Sequence, residues 1–182
     1  TLADNGTAIT SDDLPKTTTG ADVVYTATSE TATSDSFTFK VNDGNSDSDA
    51  ATVTINTTLV NDKPVATAQT VEATEQTAKT ITLAGTDAEG DTITYIIASL
   101  PSNGTLTDNG TAITSDDLPK TTTGTDVVYT STSDTATSDS FTFKVNDGTV
   151  DSDVATVTIN ITAVNDAPTA TAQTVDATED VA

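Results

Sequence analysis

Ser140-Phe141-Thr142-Phe143-Lys144-Val145 alternates polar and apolar residues without a break, which puts Phe141, Phe143 and Val145 on one face of an extended strand. Residues 155–161 alternate in the same way, with Val157, Ile159 and Ile161 facing inward. The Asn, Asp, Gly and Ser residues of 146–153 between them close a hairpin. Upstream, residues 80–83 and 93–97 read as two more strands joined by the turn at 86–91. Shorter strands are predicted at 104–107, 111–114 and 126–130, with a first strand near 66–71. Asp116 and Asp117 read as a loop or a one-turn cap before Leu118 and Pro119. A helical period is missing, and the β-branched residues Val, Ile and Thr dominate every regular run. Seven to eight strands in about 100 residues is the count of an immunoglobulin-like β-sandwich, so the chain reads as all-β. The Cys-Trp-Cys pattern of antibody domains is absent, which leaves the core to Phe, Ile, Val, Leu and Tyr.

This pattern is repeated. Residues 1–78 return as residues 105–182 with about four in five positions identical, so the repeat is 104 residues long. A period of that length is a whole domain and exceeds the rung of a solenoid. Asn61-Asp62-Lys63-Pro64 recurs as Asn165-Asp166-Ala167-Pro168, each after a strand-like run. Counting units from that motif makes 61–164 one complete repeat. Residues 1–60 are then the C-terminal part of a preceding repeat, and 165–182 the start of a following one. The two partial ends together lack the counterpart of residues 79–104, so the chain is expected to be a segment of a tandem array. Near-identical neighbours argue for repetition over individual chemistry.

Composition narrows the functional classes. The chain has no Cys, His, Met or Trp, and its six cations are all Lys. It therefore offers no disulfide, no thiolate or imidazole metal ligand, and no histidine general base. With no nucleophilic Cys and no Gly-rich phosphate loop either, an enzyme is not expected. The formal charge of −22 disfavours nucleic acid and anionic membrane as partners and favours divalent cations. No apolar run is long enough to insert in a membrane.

The acidic residues gather in loops. In a sandwich with this strand order, the loops 86–91 and 146–153 lie at the end where the chain enters. That end collects Asp87, Glu89, Asp91, Asp147, Asp151 and Asp153, together with Asn61 and Asp62 of the linker. The opposite end collects Glu72, Glu75, Asp134 and Asp139, with Asn165 and Asp166 of the next linker. Acidic loops thus face each other across each junction. Calcium takes about six to eight oxygen ligands in irregular geometry, which suits carboxylates at alternate positions of a turn such as Asp87-x-Glu89-x-Asp91. Crowded carboxylates without counter-ions repel one another by about 1 kcal/mol per close pair in water. Ca²⁺ is therefore the expected cofactor, with Asn61, Asp62, Asp87, Glu89, Asp91, Asp147, Asp151, Asp153, Asn165 and Asp166 as candidate ligands.

The Asn-Asp-x-Pro linkers, the Thr86-Asp87-Ala88-Glu89-Gly90-Asp91 loop, the Leu100-Pro101-Ser102-Asn103-Gly104-Thr105-Leu106 segment and the strand end at Phe141 to Gly148 resemble the tandem cadherin-like domains of giant bacterial surface proteins. These include the calcium-dependent extender repeats of large repeats-in-toxin adhesins. By position, Asn61 and Asp62 are similar to the cadherin linker, Asp87 and Glu89 to its Asp-x-Asp loop, and Glu75 to its first-strand Glu facing Asn165 and Asp166. The linker lacks the flanking Asp and second Asn of the cadherin motif, and no Asp-Arg-Glu precedes the penultimate strand.

The resemblance implies an extracellular extender repeat: a rod, stiffened by calcium at each junction, that projects a binding domain from a bacterial cell. Its partners are then the neighbouring repeats. The alternative is a self-assembling extracellular filament or sheath, in which exposed edge strands associate between chains.

Overall fold

The structure, a computed structural model, describes residues 1–177 and residue 179. In chain order the first strands are β1 (Leu2–Asp4), β2 (Thr7–Ile9), β3 (Val24–Tyr25), β4 (Ser34–Phe39) and β5 (Ala51–Asn56). After the first linker come β6 (Val65–Ala66), β7 (Gln69–Thr74), β8 (Lys79–Thr82), β9 (Gly85–Thr86), β10 (Thr94–Ser99) and β11 (Gly104–Asp108). The last are β12 (Thr111–Ala112), β13 (Lys120–Thr121), β14 (Asp126–Ser131), β15 (Ser138–Asn146) and β16 (Ala155–Thr162). Helical structure among the described residues is confined to two short 3₁₀ turns, Ser11–Asp13 and Ser115–Asp117. In the second, Thr114 N and Oγ1 both donate to Asp117 Oδ2 and cap the turn.

One compact unit comprises Thr67–Ala84, Tyr95–Phe143 and the chain from Val154 on. It is an immunoglobulin-like β-sandwich built from a five-stranded sheet, β13-β10-β15-β16-β7, and a four-stranded sheet, β12-β11-β14-β8. β15 pairs with β16 as the alternation predicts, with Phe141 opposite Val157. Its inward set meets that of the other sheet: Ile81, Leu106, Val127, Tyr129, Ile97, Phe141, Phe143, Val157 and Ile159 are almost fully buried. Fully burying each such side chain contributes about 1.5–3 kcal/mol, and this core holds the sheets together. A Cβ on Gly104 would overlap the ring of Tyr129, so the two strands approach this closely only because Gly stands there.

The first strand differs from expectation. It breaks into β6, which pairs with β9, and β7, which crosses to run parallel to β16 in the other sheet. Residues 67–68 make the crossing. β9 and β13, two residues each, are too short to show a period and were not legible as strands.

The second unit comprises Thr1–Ala66, Gly85–Thr94 and Lys144–Asp153. It contains the sheet β2-β1-β3, the hairpin β4-β5 and the pair β6-β9. Phe37 sits opposite Val53 in the register that Phe141 and Val157 repeat. Here β4 and β5 pair only with each other, and Phe39 is 46% exposed, whereas its repeat counterpart Phe143 is 0% exposed.

Candidate metal centres

Parallel pairing of β7 with β16 sends both strands out at one end, in register to Thr74 opposite Thr162. Glu75, the next residue, therefore meets the departing linker. Its N–H donates to the Thr162 carbonyl (2.9 Å), and its Oε2 accepts from the Val164 N–H (2.8 Å). The side chain is 2% exposed, yet Oε1 has no hydrogen-bond partner. Carboxylate oxygens of Glu75, Asp134 and Asp166 lie within 4.8 Å of one another. A buried carboxylate oxygen without a partner costs several kcal/mol, and two further carboxylates beside it raise that cost.

A second group, in the other unit, brings oxygens of Glu30, Asp62 and Glu89 within 4.8 Å of one another. The 86–91 turn shapes it. Gly90 takes φ +80°, open to glycine without strain, and the Asp91 N–H donates to Asp87 Oδ1 at 2.9 Å. Glu89 Oε2 accepts from the Asp62 N–H at 3.1 Å. Asp87 Oδ2 and Glu89 Oε1 are both buried without partners. The orphaned oxygens in both groups fit a hard cation that takes oxygen ligands.

The two groups are related by the repeat. Glu30 occupies the position of Asp134, and Asp62 that of Asp166, 104 residues apart. Glu89 follows the shared pair in one group, and Glu75 precedes it in the other.

Other residues expected to bind metal are placed elsewhere. Asn61 Nδ2 donates to Asp147 Oδ2 at 2.9 Å, and the Thr149 and Val150 N–H groups donate to Asp147 Oδ1. The Asn61 bond first, then the Val150 N–H, holds the Asp147 carboxyl below its ordinary value. Asp153 takes the Lys63 ammonium at 2.6 Å, which lowers its pKa through the hydrogen bond and the charge. Asp151 accepts from Asn146 Nδ2 at 2.7 Å and lies 3.7 Å from the Lys144 ammonium. Asp91 contributes its N–H to the turn, and Asn165 Nδ2 bonds back to the Asp166 carbonyl. Glu72 takes Asn160 Nδ2, and buried Asp139 bonds inside the sandwich. Glu30 and Asp134 belong to the groups although neither was a sequence candidate. Their signal was an acidic position kept between copies while the residue changed from Glu to Asp.

The family model described as bacterial Ig domain matches residues 1–56 and 61–160. No curated protein matches the chain. Among solved structures it is similar to an endo-fucoidan hydrolase from glycoside hydrolase family 107, at 25% identity over 75% of this chain and 20% of that one, TM-score 0.40. It is also similar to a nucleoside hydrolase-related hypothetical protein from Saccharophagus degradans, associated with carbohydrate metabolism, at 12% identity over 56% of this chain and 26% of that one, TM-score 0.41. Domains 4 and 5 of the S-layer protein SbsC are 16% identical over 71% of this chain and 58% of theirs, TM-score 0.34. The chain thus spans between 20% and 58% of the length of these three structures.

Proposed function

The chain belongs to the bacterial Ig domain family, and from that premise we propose that it is a structural extender repeat of a large bacterial cell-surface adhesin. In this reading the chain works outside the cell, its partners are neighbouring copies of the same repeat, and it has no catalytic task. Calcium at each junction stiffens the array into a rod.

The observation that carries the reading is Glu75 Oε1, which is buried, unpartnered and grouped with Asp134 and Asp166. Glu75, Asp134 and Asp166 would hold the ion at one junction, and Glu30, Asp62 and Glu89 at the other. Where one complete repeat follows another, the repeat relation unites four acidic positions: those of Glu75, Glu30 or Asp134, Asp62 or Asp166, and Glu89. Bound there, calcium would supply positive charge that the carboxylate oxygens coordinate. The protein's part is to present the carboxylates from three segments: a loop of one repeat, the linker, and a loop of the next. An ion that binds only that assembled arrangement adds stability by mass action and restrains the linker.

The test is a thermal melt of an array of four intact repeats in millimolar Ca²⁺ and again in excess EGTA. Small-angle scattering on the same samples reports the shape. A large fall in Tm on chelation, with a shorter maximum dimension, supports the rod. An unchanged melt and unchanged scattering would leave the carboxylates as solvated loops and favour the filament.

A further inference from the structure

We propose that Asn61 and Lys63 form a cation-independent latch that seats the linker and so positions Asp62 for the cation site. The positioning half rests on the function proposed above, and the latch itself does not.

Three successive linker residues have three different tasks. Asn61 Nδ2 reaches Asp147 Oδ2 (2.9 Å), and Lys63 Nζ reaches Asp153 Oδ1 (2.6 Å). Both acceptors belong to the same hairpin loop, so the two side chains grip one element from either side of Asp62. The Asp62 N–H is held by Glu89 Oε2 (3.1 Å). Of the three side chains, only that of Asp62 joins a carboxylate group, with Glu30 and Glu89. Immediately downstream, Pro64 is buried and β6 pairs with β9. Protein groups thus hold the linker at Asn61, Asp62, Lys63 and β6.

Asp147 is only 8% exposed, so its part-buried bond to Asn61 is the stronger half of the grip, a charge-assisted bond partly shielded from water. The Lys63–Asp153 pair is exposed and contributes less. In the next linker the Lys position is Ala167. Lys63→Ala gives the first linker motif the sequence of the second.

The experiment is residue-resolved amide hydrogen exchange on the full chain by NMR, in millimolar Ca²⁺ and in excess EGTA, with calcium titrated by calorimetry in parallel. The expected result is that the amides of Asp62 and Val65 keep their protection in EGTA. Asn61→Ala should speed their exchange roughly tenfold in either condition, the cost of leaving a buried carboxylate oxygen short of a donor. Lys63→Ala should speed it about two- to threefold, with Lys63→Arg restoring the original rate. Asn61→Ala should also weaken calcium binding although Asn61 lies outside the carboxylate group. Loss of protection in wild-type chain on chelation would overturn the latch while supporting the cation. Unaltered protection in both Asn61→Ala and Lys63→Ala would overturn it as well. If calcium fails to bind but protection depends on Asn61, the latch stands and the rod reading falls.

Discussion

Tyr129 donates its phenolic hydrogen to the buried carboxylate of Asp139 at 3.0 Å, and the repeat reproduces the bond between Tyr25 and Asp35, also at 3.0 Å. Asp139 further accepts the N–H groups of Ser102 and Asn103, each at 2.9 Å, and that of Ser140. One carboxylate thereby ties the 100–103 turn to two strands of opposite sheets. Its charge is satisfied within the domain, which removes it from the junction chemistry that its acidic neighbours take up.

That pair sets an alkaline limit. Burial first, then the bond to Asp139 and its charge, pushes the Tyr129 hydroxyl up from 10.0 to about 12. A tyrosine whose folded value is raised contributes stability fully below its unfolded value and loses it as pH climbs through the folded one. Urea unfolding should therefore show stability flat to about pH 10 and falling between 10 and 12. Tyr129→Phe should be less stable at pH 7 by about 1 kcal/mol and should fall less steeply with alkali. An equally steep fall in that variant would show that other groups set the limit.

Asp147 sets a limit on the acid side. Its bond to Asn61 depresses its pKa below 3.8, so its contribution is present above that value and is lost as pH falls below it toward the folded value. Acid unfolding followed by circular dichroism should begin below pH 3.8 for this group and should shift in Asp147→Asn. Asn61→Ala should shift it in the same direction, because it removes the largest cause of the depression.

Gly104 offers a packing test. A Cβ there would overlap the Tyr129 ring and stand 2.7 Å from the Thr130 carbonyl oxygen, which is backbone and cannot swing aside. Gly104→Ala should cost about 2–3 kcal/mol in urea unfolding, the upper part of the usual range for overpacking. Gly90→Ala meets no neighbouring atom and bears only the strain of φ +80°, so about 1 kcal/mol is expected. Equal losses in the two variants would refute this division.

Much of this was legible from alternation alone. The hairpin of β15 and β16 carries its own period of two, and a buried face fixes its register whatever the rest of the chain does. The crossing of the first strand was not legible, because its residues are short, small and mixed (Val65-Ala66-Thr67-Ala68) and their pairing is decided by partners distant in sequence. The site shows the same divide. Glu89 stood out by its spacing from Asp87 and Asp91, Asp62 by the repeated linker motif and Glu75 by the cadherin resemblance, whereas Asp147 and Asp153 lie in an equally acidic loop and have Asn61 and Lys63 within reach. A donor 86 residues away in the chain leaves no local trace. Glu30 was hidden because its loop, Ser29-Glu30-Thr31, has no second acidic neighbour to make a motif.

Glu75→Gln separates the cost of a buried charge from the benefit of a bound ion. The substitution keeps the shape and leaves Oε1-type and Nε2-type groups beside Asp134 and Asp166, but removes one negative charge from a group of three. In EGTA the variant should melt at the same temperature as wild type or higher, because the repulsion and part of the desolvation cost are relieved. In millimolar Ca²⁺ the order should reverse, since the ion loses its most buried ligand and the stabilisation that binding adds shrinks with affinity. Differential scanning calorimetry of both proteins in both buffers gives the four melting temperatures needed. If Glu75→Gln were destabilised equally with and without calcium, Glu75 would be acting through its bond to the Val164 N–H alone, and the ion would have to be sought at Glu89.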